Sequence, residues 1–160
     1  MNYVVLILFM AACFVAYRYL FRGESARSAR DAAPVTPPSS AHHWPGSGDF
    51  EVAAVGESFN RKAIQRLVGD HGDEHVEKTF VATLVPDDDN PHDNRAVAIY
   101  INRVKVGHMS RDDARSFRRR LGAKKLTGQF TSCDALVQYG GLVDGKRFDY
   151  SVSLDIKPFD

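Results

Sequence analysis

Acidic and amide side chains crowd one short stretch of this chain. Asp87-Asp88-Asp89-Asn90-Pro91-His92-Asp93-Asn94 stands directly before an apolar run. Carboxylate and amide oxygens are the donors that hard divalent cations take. The spacing is not that of a calcium loop, however, because no glycine turn and no distal Glu follow. The structural alternative is that Asp and Asn side chains bond nearby backbone amides and fix a turn, and Asp87 to Asp89 are assigned to it. Further on, His108 follows Gly107 and precedes a basic stretch that holds Arg111, Arg115, Arg118, Arg119, Arg120, Lys124 and Lys125 against Asp112 and Asp113. At about 100° per residue, Arg111, Arg115, Arg118 and Arg119 share one helical flank. Such a flank either neutralises phosphates and displaces counterions or is a solvated face, and the pattern alone leaves both open. His42, His43 and Trp44 are read as solvated linker residues rather than a metal site. Cys13 and Cys133 are the two cysteines, and their placement gives neither a disulfide nor a zinc framework. No Walker loop, no HExxH and no Ser-His-Asp set with recognisable context occurs. No catalytic residue, metal or cofactor is therefore expected, and the chain is not read as an enzyme.

The elements that must position these residues can be read from periodicity. Val52 to Val55 is a short strand that ends at Gly56. Asn60 is expected to cap a helix with apolar positions Ala63, Ile64, Leu67 and Val68, which Gly69 terminates. Val76 to Val85 alternates as a strand, with Phe80, Ala82 and Leu84 on one face. Ala96 to Ile101 and Val104 to Met109 form a hairpin around Asn102-Arg103. Ser110 caps a second helix, with Asp113 completing a capping-box pattern, and Ala114, Phe117 and Leu121 are its buried stripe. Two long strands, Leu126 to Tyr139 and Arg147 to Ile156, close the series across a Gly-rich turn. Roughly six strands and two short helices are too few helices to cover a parallel sheet. A mainly β fold, a small closed or nearly closed six-stranded barrel with two short helices, is the economical answer, because closure removes exposed edges.

Upstream of this domain the composition changes twice. The chain has 160 residues and a formal net charge of +1, so one domain with appendages is expected and no global field steers it to anionic partners. Tyr3 to Phe21 is apolar except for Arg18, just long enough for a membrane helix of about 20 residues. Residues 1–22 are accordingly read as a transmembrane anchor. Arg22, Arg27 and Arg30 follow it and nothing basic precedes it, so the positive-inside rule places the C-terminal side in the cytoplasm. A cleaved signal peptide would carry a basic segment before its apolar core. Residues 23–49, rich in Ala, Ser, Pro and Arg, are read as a disordered linker spanning about 30 Å root-mean-square, and 50–160 as the folded domain.

Four stretches of that domain together resemble the HIRAN domain. They are Val55-Gly56-Glu57-Ser58-Phe59, Leu84-Val85-Pro86 leading into Asp89-Asn90-Pro91-His92-Asp93, Ala96-Val97-Ala98-Ile99-Tyr100, and Val106-Gly107-His108-Met109-Ser110-Arg111. The similarity spans about residues 50–157. It implies an OB-like barrel and, from the helicase-associated members of the family, a grip on the 3′ end of single-stranded DNA. On matching positions it implies that Phe59 and His92 sandwich the terminal base, and that Asp93 binds the terminal hydroxyl while Asn90 supports the loop. His108 and Arg111 would contact phosphate, with Arg115 on the same basic flank. The chain departs from the family pattern at Ser58, Asn60, His92 and Arg95. The expected protein is thus a nucleic-acid-binding module tethered through residues 3–21 to a bacterial-type inner membrane, single-pass, with its domain facing the cytoplasm. The alternatives are a membrane-anchored protein-interaction adapter on the same barrel and, third, a hydrolase of acid anhydrides or phosphate esters.

Overall fold

Burial alternates residue by residue along most of the strands. In β5 (Thr131–Tyr139) the side chains of Thr131, Cys133, Ala135 and Val137 are buried while Asp134, Leu136 and Gln138 are partly open, and in β8 (Ser151–Asp155) Val152 and Leu154 are buried. The same alternation runs through β1 (Val52–Val55) and residues 82–85 of β2 (Val76–Asp87), whereas β3 (Ala96–Ile101) is buried on both faces from Ala96 to Ile99. A face patterned this way must be covered, and here the sheet covers it by closing on itself. With β4 (Val104–Met109) the strands form a closed barrel in the order β1-β4-β3-β2-β5-β8, every pairing antiparallel. Each fully buried aliphatic side chain contributes about 1.5–3 kcal/mol. β1 is the short closing strand, joining Ala54 to Met109 on one side and Val52 to Leu154 on the other.

The computed structural model describes residues 40–157 apart from 73, 141, 144, 145 and 148. The anchor expected over 1–22 and the linker over 23–39 lie outside these residues. Among the described residues no helix is long and apolar enough to cross a membrane.

Two helices lie between strands. Helix α1 (Arg61–Val68) buries Ile64 and Val68, and helix α2 (Arg111–Ala123) buries Ala114, Phe117 and Leu121, the expected stripes. Ser110 caps α2 by accepting from the Asp113 amide at 3.2 Å, and its hydroxyl donates to Asp113 Oδ2 at 2.6 Å. The capping of α1 differs from expectation. A 3₁₀ turn over Glu57–Asn60 precedes α1, and the Asn60 side chain donates to the Gly56 carbonyl at 3.1 Å instead of accepting from the helix. Gly56, at φ 81°, makes the sharp exit from β1 that an L side chain resists. The long strand expected from Leu126 begins only at Thr131. Positive φ at Lys125 and Gly128 coils residues 124–130 into turns, with Leu126 N donating to Leu121 O. The other long strand is divided into β7 (Lys146–Arg147), paired with β6 (Leu142–Val143), and β8.

The largest departure concerns residues 40–49, expected to be the end of the linker. They form a strap along the start of β5. Ala41 N donates to Phe130 O, Ser132 N to His42 O and Trp44 N to Ser132 O, and His43 Nδ1 lies 3.0 Å from Ser132 Oγ. Trp44 is only 3 % exposed, edge-on to Phe117 at 5.5 Å, with Lys124 Nζ 5.7 Å from its ring centre. Beyond it the Ser47 and Gly48 amides donate to the buried Asp155 carboxylate at 2.9–3.0 Å. The folded domain therefore starts before residue 50. A Pro- and Ser-rich stretch reads as a spacer because it holds little apolar surface, and a single Trp buried in the core against Phe117 overrides that average.

Candidate functional site

The loop after β2 is wired by its own side chains. Asn90 Oδ1 accepts from the amides of His92 at 3.0 Å and Asp93 at 3.3 Å, and Asn90 Nδ2 donates to Asp87 Oδ2 at 3.2 Å. Asp93 Oδ1 accepts from the Arg95 amide at 2.9 Å, and its carbonyl from the Ala96 amide at 3.0 Å. The Asn and Asp types at these spacings thus act as turn formers, and they hold the Asp93 carboxylate at a fixed place. Its second oxygen is 3.7 Å from Arg111 Nε. Arg111 is the first residue of α2, and the Ser110 cap sets where that helix begins.

His108 reaches the same loop from β4 because of a bulge. Ala98 pairs with His108 and Ile99 with Gly107, but Tyr100 pairs with Lys105. The extra residue, Val106, is fully buried. Lys105 and His108 both approach the start of the loop, 3.8 Å and 3.7 Å from Asp87 Oδ2. Burial, and then the Lys105 charge, push the His108 imidazole below its ordinary value, against a smaller opposing pull from Asp87. The shift favours the uncharged ring, and His108 Nε2 is enclosed without a hydrogen-bond partner. On the other side of His108 lies Val55, its partner in β1. Gly107 makes that seam possible, since a β-carbon there would stand 2.8 Å from the Val55 carbonyl oxygen.

Phe59 is the remaining candidate. It is 94 % exposed, on the 3₁₀ turn that packs against β4, and Val55 beside it is 45 % exposed. An aromatic ring left this open has no packing role. His92 is exposed at the loop tip. The fold therefore brings Asn90, Asp93 and Arg111 into one contact network and sets His108 at its edge. Arg115 is not part of it, since it pairs at 3.5 Å with Asp112 on its own helix. Asp87, Lys105 and Arg118 belong to the network and were not singled out as site residues. Arg118 donates to Ala96 O at 3.0 Å and pairs with Asp88 Oδ1 at 2.7 Å. Its place on the Arg111 flank, two turns along, was the available signal.

Part of the acidic run is compensated in place, with Asp87 beside Lys105 and Asp88 on Arg118. Among the described residues no group of three or more His, Cys, Asp or Glu side chains is placed to hold a metal ion. The arrangement has the means to stack a planar group on Phe59, accept a hydrogen bond at Asp93 and offer cations from α2. No protein-family model, curated protein or solved structure matches the chain.

Proposed function

We propose that this domain is a HIRAN-like, OB-like module that binds single-stranded nucleic acid by its 3′ end, held at the cytoplasmic face of a membrane by residues 3–21. The observation that carries the reading is the Asp93 carboxylate, immobilised by the Arg95 amide and facing Arg111; the exposed ring of Phe59, on the 3₁₀ turn, is the stacking candidate. Stacking of the terminal base on Phe59 and His92 supplies affinity without sequence preference, Asp93 accepts from the terminal hydroxyl, and Arg111 meets the adjoining phosphate. His108, whose burial favours the uncharged ring, serves less as a counterion to phosphate than Arg111. Arg115 contributes only long-range charge. Base–aromatic stacking is worth about 1–3 kcal/mol per base.

The test is fluorescence anisotropy with short single strands whose 3′ hydroxyl is free or blocked, using the full chain in detergent. Phe59→Ala is expected to weaken binding by roughly 10- to 100-fold. Asp93→Ala is expected to abolish the preference for the free end. Equal binding of free and blocked ends by the unaltered protein refutes the reading. A membrane-anchored protein adapter is the second reading. It is favoured by the pairing of Arg111, Arg115 and Arg118 with Asp93, Asp112 and Asp88, which leaves less charge for phosphate. Binding to a protein with little salt dependence would support it.

A further inference from the structure

Both ends of the 88–95 loop converge on one guanidinium. Arg118 Nη2 donates to the Ala96 carbonyl at 3.0 Å, where the loop enters β3, and lies 2.7 Å from Asp88 Oδ1, where it leaves β2. The Arg118 side chain is 17 % exposed, whereas Asp88 is 70 % exposed. The anchored partner is therefore the helix side chain, and the loop residue is held by it. Arg118 sits next to Phe117, which is fully buried and packs on Trp44, so its backbone is fixed to the barrel core. The bonds within the loop lack that reach. Those of Asn90 and Asp93 fold the loop on itself, extending only from Asp87 to Ala96. The contact between Arg111 and Asp93 is longer, at 3.7 Å, and more open.

We infer that Arg118 is the positioning residue of this loop, a clamp from helix α2 that sets where Asn90, His92 and Asp93 stand relative to Arg111. The role rests on the proposed end-binding reading for its consequence but not for its geometry. Both contacts are made by the one Nη2 atom, whose hydrogens are fixed in the guanidinium plane, a pre-organised placement that a flexible lysine ammonium lacks. Loss of the clamp leaves the turn intact and frees it to swing as a unit, so the Asp93 carboxylate is no longer presented at one distance from α2.

Hydrogen exchange of the full chain in detergent, followed by mass spectrometry, reads the clamp without any ligand. In Arg118→Met the peptide covering residues 88–96 is expected to exchange about tenfold faster, with peptides from β5 and β8 unchanged. Asp88→Asn, at an exposed position that leaves the core intact, is expected to give a smaller acceleration of the same peptide, and Arg118→Lys an intermediate one. Unchanged exchange of this peptide in Asp88→Asn and Arg118→Lys overturns the inference. So does acceleration spread equally over β5 and β8, which marks a general stability role. Strand binding is measured in parallel. If the unaltered protein shows no preference for a free 3′ end, the end-binding reading fails while the exchange result still judges the clamp. If that preference exists and survives Arg118→Met undiminished, the clamp does not position the site.

Discussion

Replacing Trp44 by Ala tests whether the strap belongs to the folded domain. A Trp side chain buries up to about 250 Å², and at about 25 cal/mol per Å² the ceiling is near 6 kcal/mol. Two corrections lower it. The unfolded chain already shields roughly 10–40 % of such surface. Trp44 Nε1 is also enclosed without a hydrogen-bond partner, a penalty of about 1–3 kcal/mol that removal of the side chain relieves. The edge contact with Phe117 adds about 0.5–1.5 kcal/mol in the other direction. The expected cost is about 3 kcal/mol, at the lower end of Trp→Ala substitutions in cores, with a fall in Tm on the order of 10 °C. Trp44→Phe keeps much of the buried surface and removes the unpaired N–H, so it should cost less than about 1.5 kcal/mol. Trp44 is the only tryptophan, so the melts must be followed by far-UV circular dichroism in urea. The unaltered protein's fluorescence should be blue-shifted and move to the red at the same midpoint. A loss below about 1 kcal/mol for Trp44→Ala would show that the strap merely lies on the barrel.

Two other outcomes are expected. The imidazole of His108 is held below its ordinary value of about 6.5, chiefly by burial. The unfolded chain therefore binds this proton more readily than the folded one. The stability associated with the neutral ring is fully present above that ordinary value and is lost as pH falls through the depressed one. Urea midpoints measured across this range should decline less in His108→Gln than in the unaltered protein, and parallel curves would refute the assignment. Cys133 is fully buried, and burial with the nearby Asp134 and Asp155 charges pushes its thiol far upward. In a Cys13→Ser background it should resist alkylation by a maleimide under native conditions and react only in denaturant, as counted by mass spectrometry. Prompt labelling of the native protein would contradict the placement of β5.

Much of the fold was legible because its signals are local. The alternation in β2 and the Ala114, Phe117 and Leu121 stripe follow from how side chains leave a strand or a helix. The Asn102-Arg103 turn, with both residues at positive φ, is the turn class that such a hairpin needs. The Ser110 cap acts over three residues, so residue type alone exposed it, whereas the turn role expected of Asp87 to Asp89 falls to the side chains of Asn90 and Asp93. The limits of the two long strands were misjudged because turn residues near Lys125 and Gly128 interrupt an otherwise suitable composition.

The acidic loop before β3 and the basic helix were the starting point for function, and the resemblance to the HIRAN domain supplied Phe59, Asn90, His92, Asp93, His108 and Arg111, with Arg115 on the basic flank, as candidates. It did not order them. That Arg115 turns to its own helix, that burial favours the uncharged His108 ring and that Arg118 holds both ends of the loop depend on partners far away in sequence. The bulge at Val106 decides which β4 side chains face the loop, and nothing local to β4 announces it. Trp44 reads as a linker residue until Phe117 of α2 and the start of β5 are folded against it. Periodicity and turn chemistry are properties of neighbours along the chain. Burial, compensation of charge and the approach of distant side chains exist only once the strands have closed into a barrel, so tertiary structure alone decided them.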